Sequence, residues 1–186
     1  ATNLNAVWGT SASNVWAVGE GGVMIRWNGT TWATVASGVT DDLKAVWGTA
    51  SGNIWAVGAA GTILHWNGTA WATQVSGTTD DLYSIWGSST ADVWAVGESG
   101  RICWWNGTAW TTVTSPTGNT LLSVWGSSPW DAWACGVSGT LIRFDAYGSW
   151  KTVTTGLSSD LYAGCLGSVL DDGSAYPFGR QAPGPR

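Results

Sequence analysis

Apolar residues along this chain come in short runs of about five, each ended by turn-forming residues, and the runs recur in sets of four. Over residues 43–81 they read "LKAVWG", "NIWAVG", "TILHW" and "TAWATQVS", broken by "TASG", "AAG" and "NG" and closed by "GTTDD". Runs this short, rich in Val, Ile, Trp and Thr, predict strands, because branched and aromatic side chains suit a pleated surface. Asn-Gly at 28–29, 67–68 and 106–107 predicts tight hairpins of type I′, whose two central residues both need positive φ. Each set of runs is therefore expected to form one four-stranded antiparallel sheet.

The sets repeat at a fixed spacing. Trp8, Trp47, Trp86 and Trp125 lie 39 residues apart, as do Trp16, Trp55, Trp94 and Trp133, and residues 4–42 match 43–81 at 24 of 39 positions. A small sheet with two apolar faces cannot stand alone in water. Stacking such sheets face to face around an axis buries both faces, and four strands in about 40 residues is the propeller signature. A parallel β-helix would want shorter rungs and no Asn-Gly hairpins. The expectation is an all-β protein, a β-propeller of 39-residue four-stranded antiparallel blades. The repeats fill residues 1–160 as four complete blades (3–42, 43–81, 82–120 and 121–159), and 161–186 hold a degraded fifth start and a tail. Trp16, Trp55, Trp94 and Trp133, inside "W-A-V/C-G" strands, are expected between blades.

Composition narrows the function. Only 10% of the residues are charged, with seven Lys and Arg against twelve Asp and Glu, a formal charge of −5. That leaves no basic stripe for phosphates, so nucleic acid and anionic membranes are not expected partners. No run approaches the ~18 apolar residues of a membrane span, and the start shows no secretion signal. Cys103 and Cys135 stand where the other units carry Ile25 and Leu64, and Val18, Val57 and Val96, so both are expected as buried aliphatic substitutes.

"NIWAVGAAGTILHWNGTAWATQVSGTTDDLYSIWG" is similar to the repeat of the photosystem II stability and assembly factor family, and more widely to the Asp-box (BNR) propellers with their "S-x-D-x-G-x-T-W" turn. The resemblance covers residues 3–158. Gly29-Thr30-Thr31-Trp32 matches the second half of that turn, while Trp27, Trp66 and Trp105 occupy the Asp position, a "WNG" variant. The resemblance implies a propeller, and the assembly-factor branch implies a photosynthetic partner to which no motif here points. The repeat type leans towards an extracellular or periplasmic setting. A sialidase would need an arginine cluster, a Tyr nucleophile and an acid/base Asp at the axis; Arg26, Arg101 and Arg143 fall at variable strand positions, so no catalytic site carries over. The chain is not expected to be an enzyme.

His65, the only histidine, has no Cys or acid at ligand spacing. Asp41-Asp42 and Asp80-Asp81 are expected to cap the turn into the next blade by bonding their own following amides, and unit three replaces them with "SPTGN". No metal or cofactor is expected. The three "N-G-T" triplets are already accounted for as turns, without glycosylation, and "GEGG" at 19–22 precedes a strand rather than the helix a phosphate loop needs. The remaining candidates are variable slots in a near-constant frame: Glu20 and Glu98; Arg101; and Arg26, His65, Trp104 and Arg143. Such slots mark either relaxed surface or ligand discrimination. A lectin-like or protein-binding module, with carbohydrate or protein as partner, is the reading they suggest; a structural repeat fragment without a ligand is the alternative.

The fifth start, "LYAGCLGSVLDDG", loses the "A-V-W-G" phrase. Gly164-Cys165-Leu166-Gly167 can be encoded by GGC TGT CTG GGG, which read one nucleotide later gives Ala-Val-Trp-Gly. This favours a frameshifted end to a longer array, with a Pro- and Gly-rich tail that has no reason to fold. A broken array leaves two open blade faces, so either the four units close into a small ring with themselves or chains join through those faces, and the homo-oligomer is the expected outcome.

Overall fold

The computed structural model of the chain describes residues 2–162. The repeated runs form sixteen strands. Blade 1 holds β1 (Leu4–Ser11), β2 (Asn14–Gly19), β3 (Met24–Trp27) and β4 (Trp32–Thr34). Blade 2 holds β5 (Leu43–Ala50), β6 (Asn53–Gly58), β7 (Ile63–Trp66) and β8 (Trp71–Gln74). Blade 3 holds β9 (Leu82–Ser89), β10 (Asp92–Gly97), β11 (Ile102–Trp105) and β12 (Trp110–Thr112), and blade 4 holds β13 (Leu121–Ser128), β14 (Asp131–Gly136), β15 (Leu141–Phe144) and β16 (Trp150–Thr152). Each blade is a four-stranded antiparallel sheet in sequence order, and the first strands β1, β5, β9 and β13 pack beside one another. This is the expected propeller architecture. Cys165 and the degraded fifth start beyond Tyr162 lie outside the described residues.

The hairpins differ from expectation. Trp27 pairs with Trp32, Trp66 with Trp71 and Trp105 with Trp110, so each Asn-Gly opens a four-residue loop. Only the glycines have positive φ, 100°, 97° and 92° at Gly29, Gly68 and Gly107, so these are not type I′ turns. The asparagine closes the loop with its side chain instead: Asn28 Oδ1 accepts from the amides of Thr30 and Thr31, both at 2.9 Å, and Asn67 and Asn106 do the same. A carboxamide that bonds backbone two and three residues on removes the need for positive φ at its own position. In blade 4 Asp145 takes over, accepting from Tyr147 and Ser149 at 3.1 and 3.0 Å in a loop one residue longer, "DAYGS".

The core is three apolar clusters, each lying between two successive blades. The first joins Trp16, Val18 and Met24 of blade 1 to Leu43, Val46, Ile54 and Leu64 of blade 2, and the other two repeat it one blade on. Its centre is an indole wedge. Trp16 lies 5.0 Å from Trp66 and 5.3 Å from Trp71, tilted on one and edge-on to the other; Trp55 meets Trp105 and Trp110, and Trp94 meets Phe144 and Trp150, at nearly the same distances and angles. Aromatic groups prefer such arrangements over a flat sandwich. Trp16, Trp55 and Trp94 are accordingly 0–2% exposed between blades. Nearer the axis a second indole crosses the same gap, and a Cβ on Gly87 or Gly126 would stand 2.7 or 2.5 Å from the ring of Trp47 or Trp86. Cys103 lies inside the second cluster as the aliphatic substitute expected, its thiol pushed up to about 11 by burial; Cys135 is buried in β14.

Candidate functional site

Arg26, His65, Trp104 and Arg143 occupy one position in β3, β7, β11 and β15, directly across from Trp16, Trp55, Trp94 and Trp133. Each lies over that indole. Arg26 and Arg143 place their guanidinium carbons 5.1 and 5.0 Å from the ring centroid, His65 stacks at 4.0 Å, and Trp104 stacks at 5.8 Å. Each is also tethered to the first residue of the neighbouring strand. Arg26 Nε donates to Asn14 Oδ1 at 2.9 Å, Trp104 Nε1 to Asp92 Oδ1 at 2.7 Å and Arg143 Nε to Asp131 Oδ1 at 3.1 Å, while His65 Nε2 meets Asn53 Oδ1 at 2.9 Å.

Arg, His and Trp share two properties: a flat group that covers an indole face and an N–H that reaches an acceptor. The slot therefore varies in identity while one structural job stays constant. The signal was present in the sequence as a constant twelve-residue step from Asn14, Asn53, Asp92 and Asp131 to the slot. Because these four residues cover the indole faces opposite them, those faces are not bare platforms for a sugar ring, and the carbohydrate reading of this slot finds no geometric support. Burial lowers the pKa of His65, consistent with a neutral imidazole donating to Asn53. Burial opposes ionisation of Asp131, but donors on Ser127, Trp133 and Arg143 outweigh it and hold its carboxyl below the usual range.

Glu20, Glu98 and Arg101 lie elsewhere, at the end of the blades where β2–β3-type turns meet the linkers between blades. There the Asp pairs act across blades, which corrects the expected local capping. Asp42 Oδ1 accepts from Gly21 N and Asp81 Oδ1 from Ala60 N, each at 2.9 Å and 21 residues back, in the turn of the preceding blade. Asp160 repeats the bond with Ser138 N at 2.9 Å. The first Asp of each pair reaches forward instead: Asp41 accepts from Thr62 Oγ1 at 3.2 Å, and Asp80 takes Arg101 through Nε and a terminal nitrogen at 2.8 and 2.7 Å. Each "DD" thus joins two blades. The turn amides that Asp42, Asp81 and Asp160 hold belong to residues in the left-handed region, Ala60 at φ 52° and Ser138 at φ 56° among them, a conformation costly to L-residues.

Glu20 Oε1 accepts from Asn3 Nδ2 at 2.8 Å. Glu98 stands exposed near Tyr83, whose hydroxyl is raised by burial and by the charges of Asp81 and Glu98. A shallow groove of about 650 Å³ runs between the 60–62 turn, β8 and the 75–80 linker, with the Arg101–Asp80 pair on its wall. The candidates therefore divide into indole covers on four separate blades and linker-end charges, and are not gathered at one centre. Among the described residues no three His, Cys, Asp or Glu side chains are grouped to hold a metal ion.

The charges are unevenly placed. Glu20, Asp41, Asp42, Asp80, Asp81, Glu98 and Asp160 all belong to the linker end, where the cations are Lys44 and Arg101, paired with Asp42 and Asp80. The remaining described charges match: Asp92, Asp131 and Asp145 against Arg26, Arg143 and Lys151.

No protein-family model and no curated protein matches the sequence. Solved structures do match. YCF48 from Cyanidioschyzon merolae is 16% identical with a TM-score of 0.65 over 79% of this chain and 52% of that one. The RRP9 WD40 repeats are 8% identical with a TM-score of 0.65 over 81% of this chain and 52% of that one. YCF48 bound to D1 peptide overlaps 87% of this chain and 71% of that one, at 15% identity and a TM-score of 0.43. The chain spans about half the length of the first two, and in fold it is similar to these β-propellers.

Proposed function

We propose that this chain is a non-catalytic β-propeller module that binds protein segments at its linker end, through a basic stretch of the partner. The observation that carries the reading is the charge division. Seven carboxylates against two already paired cations stand on one end, and the rest of the described surface is balanced. A one-signed field steers an oppositely charged partner and selects against like-charged ones. The separation of the candidate residues over different blades supports the non-catalytic part. The repeat is, in the same reading, a variant of the Asp-box turn, supported by the Asn28 loop and by "D-A-Y-G-S-W" at 145–150, where an Asp does close the loop.

Titration of the chain with a Lys- and Arg-rich peptide, an acidic peptide and neutral oligosaccharides tests this. The basic peptide is expected to bind, more weakly as salt rises through the range where the screening length drops below ~10 Å, and Glu20→Gln with Glu98→Gln is expected to weaken it severalfold. Binding of none of the three would favour the ligand-free fragment, and binding of the oligosaccharides alone would favour a lectin.

A further inference from the structure

Blade 1 presents a face that blades 2, 3 and 4 keep covered. Leu4 and Val7 are 50% and 66% exposed, whereas Leu43, Leu82 and Leu121 are 0% and Val46, Ile85 and Val124 are 5–7% exposed. Trp32 is 46% exposed, whereas Trp110 and Trp150 are 7% and 4%. Gly9 is exposed too, while its counterparts Gly87 and Gly126 are buried under the indoles of Trp47 and Trp86. Trp27 and Trp32 sit 5.7 Å apart at 47°, and the pair Trp66 and Trp71, which receives Trp16, sits 5.8 Å apart at the same angle. The receiving half of a blade interface is thus built and unfilled.

The inserting half is on blade 4. Trp125 and Trp133 occupy the positions of Trp47 and Trp86, and of Trp16, Trp55 and Trp94. Trp133, expected between blades, is 8% exposed and belongs to none of the three inter-blade clusters, and its hydrogen bonding differs as well. Its indole N–H donates to Asp131 Oδ1 at 3.0 Å, whereas the N–H groups of Trp16, Trp55 and Trp94, wedged into the next blade, have no hydrogen-bond partner. Leu141, at the position of the fully buried Ile63 and Ile102, is partly exposed. β1 packs beside β5, β5 beside β9 and β9 beside β13, while β13 and β1 are not packed on one another, so among the described residues the four blades form an open arc.

We infer that two copies of this chain associate head to tail, blade 4 of each docking on blade 1 of the other, to close an eight-bladed ring. The occupant is argued from the molecule itself. A receiving aromatic pair and branched aliphatics are met three times within the chain by the same inserting indoles, with Phe144 and Trp150 as the third pair. The crossing indole covers a glycine at Gly87 and Gly126, and a further receiving set lies on blade 1 and a further inserting set on blade 4. Such a contact is heterologous, joining different surfaces, and two copies satisfy every interface when the rotation closes. On docking, Trp133 leaves Asp131 and takes the wedge position. This inference does not depend on the ligand proposed above.

Sedimentation of the full chain at about 10–100 µM is expected to give twice its 19.4 kDa mass. Val7→Glu combined with Trp32→Ser, changed where both side chains already face solvent within one copy, is expected to give a monomer with an unchanged far-UV spectrum. The arrangement is tested by mixing. Tagged Val7→Glu chain retains an intact blade 4 and is expected to capture wild-type chain; a blade 1 to blade 1 pairing would capture none. A wild-type monomer throughout this range, a mass above the pair, association unaffected by the double variant, or failure of capture would each overturn the head-to-tail ring.

Discussion

Val7 and Val46 are the same residue at the same strand position, in units identical at 24 of 39 places, yet one is 66% exposed and the other 7%. Nothing within either blade accounts for the difference. Blade 2 has a blade before it and blade 1 has none among the described residues, and burial in this architecture is supplied by the neighbouring unit. In a stack of repeats stability is close to a sum of unit and interface contributions. Equal sequences can therefore carry very unequal weight.

The sharpest test of that comparison uses one tryptophan slot twice. Trp110→Ala is expected to lose about 3–5 kcal/mol, as truncation of a large buried aromatic does, because Trp110 packs edge-on to Trp55 at 5.3 Å. Trp32→Ala, at the equivalent position, is expected to lose less than about 1 kcal/mol in a monomeric background. Denaturant unfolding of the two variants decides it, and equal losses would show that blade 1 is covered in solution by something other than a second copy.

A smaller effect is expected on the inner strands. Alanine at Gly87 puts a methyl 2.7 Å from the Trp47 ring and 2.6 Å from the Asp92 carbonyl, so the indole or the strand must move. Overpacking of this kind costs about 1–3 kcal/mol. At Gly9 the closest atoms are a methyl of Val15 at 2.9 Å and the Asn14 carbonyl at 3.0 Å, with no indole among the nearest three, so Gly9→Ala is expected to cost clearly less. The difference in unfolding midpoint between the two variants reports the presence of the crossing indole.

The strands and their order were legible because every unit repeats the same alternation, and four readings of one pattern leave little freedom. The buried status of Trp16, Trp55 and Trp94 followed from it. What could not be read was anything supplied from outside a unit. The Asp pairs look like local caps because the partners of Asp42 and Asp81, Gly21 and Ala60, lie 21 residues away and offer only backbone. The exposure of Val7 depends on a neighbour, not on the run that contains it. The indole covers Arg26, His65, Trp104 and Arg143 look variable, because a sequence shows identity whereas the slot selects for flatness and a donor. The hairpin type is hidden for a related reason: Asn-Gly names the residues but not whether the side chain or the backbone closes the loop.

The Asp staple supplies a prediction with its own internal control. Asp81 holds the turn of blade 2 through Ala60, whereas blade 3 has Thr120 at the corresponding place, opposite Ser99, also in the left-handed region at φ 55°. Asp81→Ala is expected to lose about 1 kcal/mol, the ordinary net worth of a hydrogen bond. Thr120→Asp is expected to regain a similar amount at the other turn. Thermal unfolding of both checks this, and a stabilisation by Asp81→Ala would mean that the repulsion among the linker-end carboxylates outweighs the bond.

The smallest effect separates blade 2 from blade 3 by pH. His65 stacks on Trp55 and bonds Asn53, and burial lowers its pKa from the ordinary 6.5. The unfolded chain then takes up a proton at a higher pH than the folded one. The contribution of a neutral His65 is fully present above pH 6.5 and declines as the pH falls from there towards the lower folded value. Trp104 does the same covering job in blade 3 with a side chain that does not titrate. His65→Trp is therefore expected to keep the stack and the Asn53 bond while removing this slope. Comparing melting temperatures of the two proteins between pH 7.5 and 5.5 reads it directly, since the carboxylates they share titrate mainly below that window. Parallel curves would show that the imidazole remains as accessible to protons when folded as when unfolded, and would remove His65 from the set of buried covers.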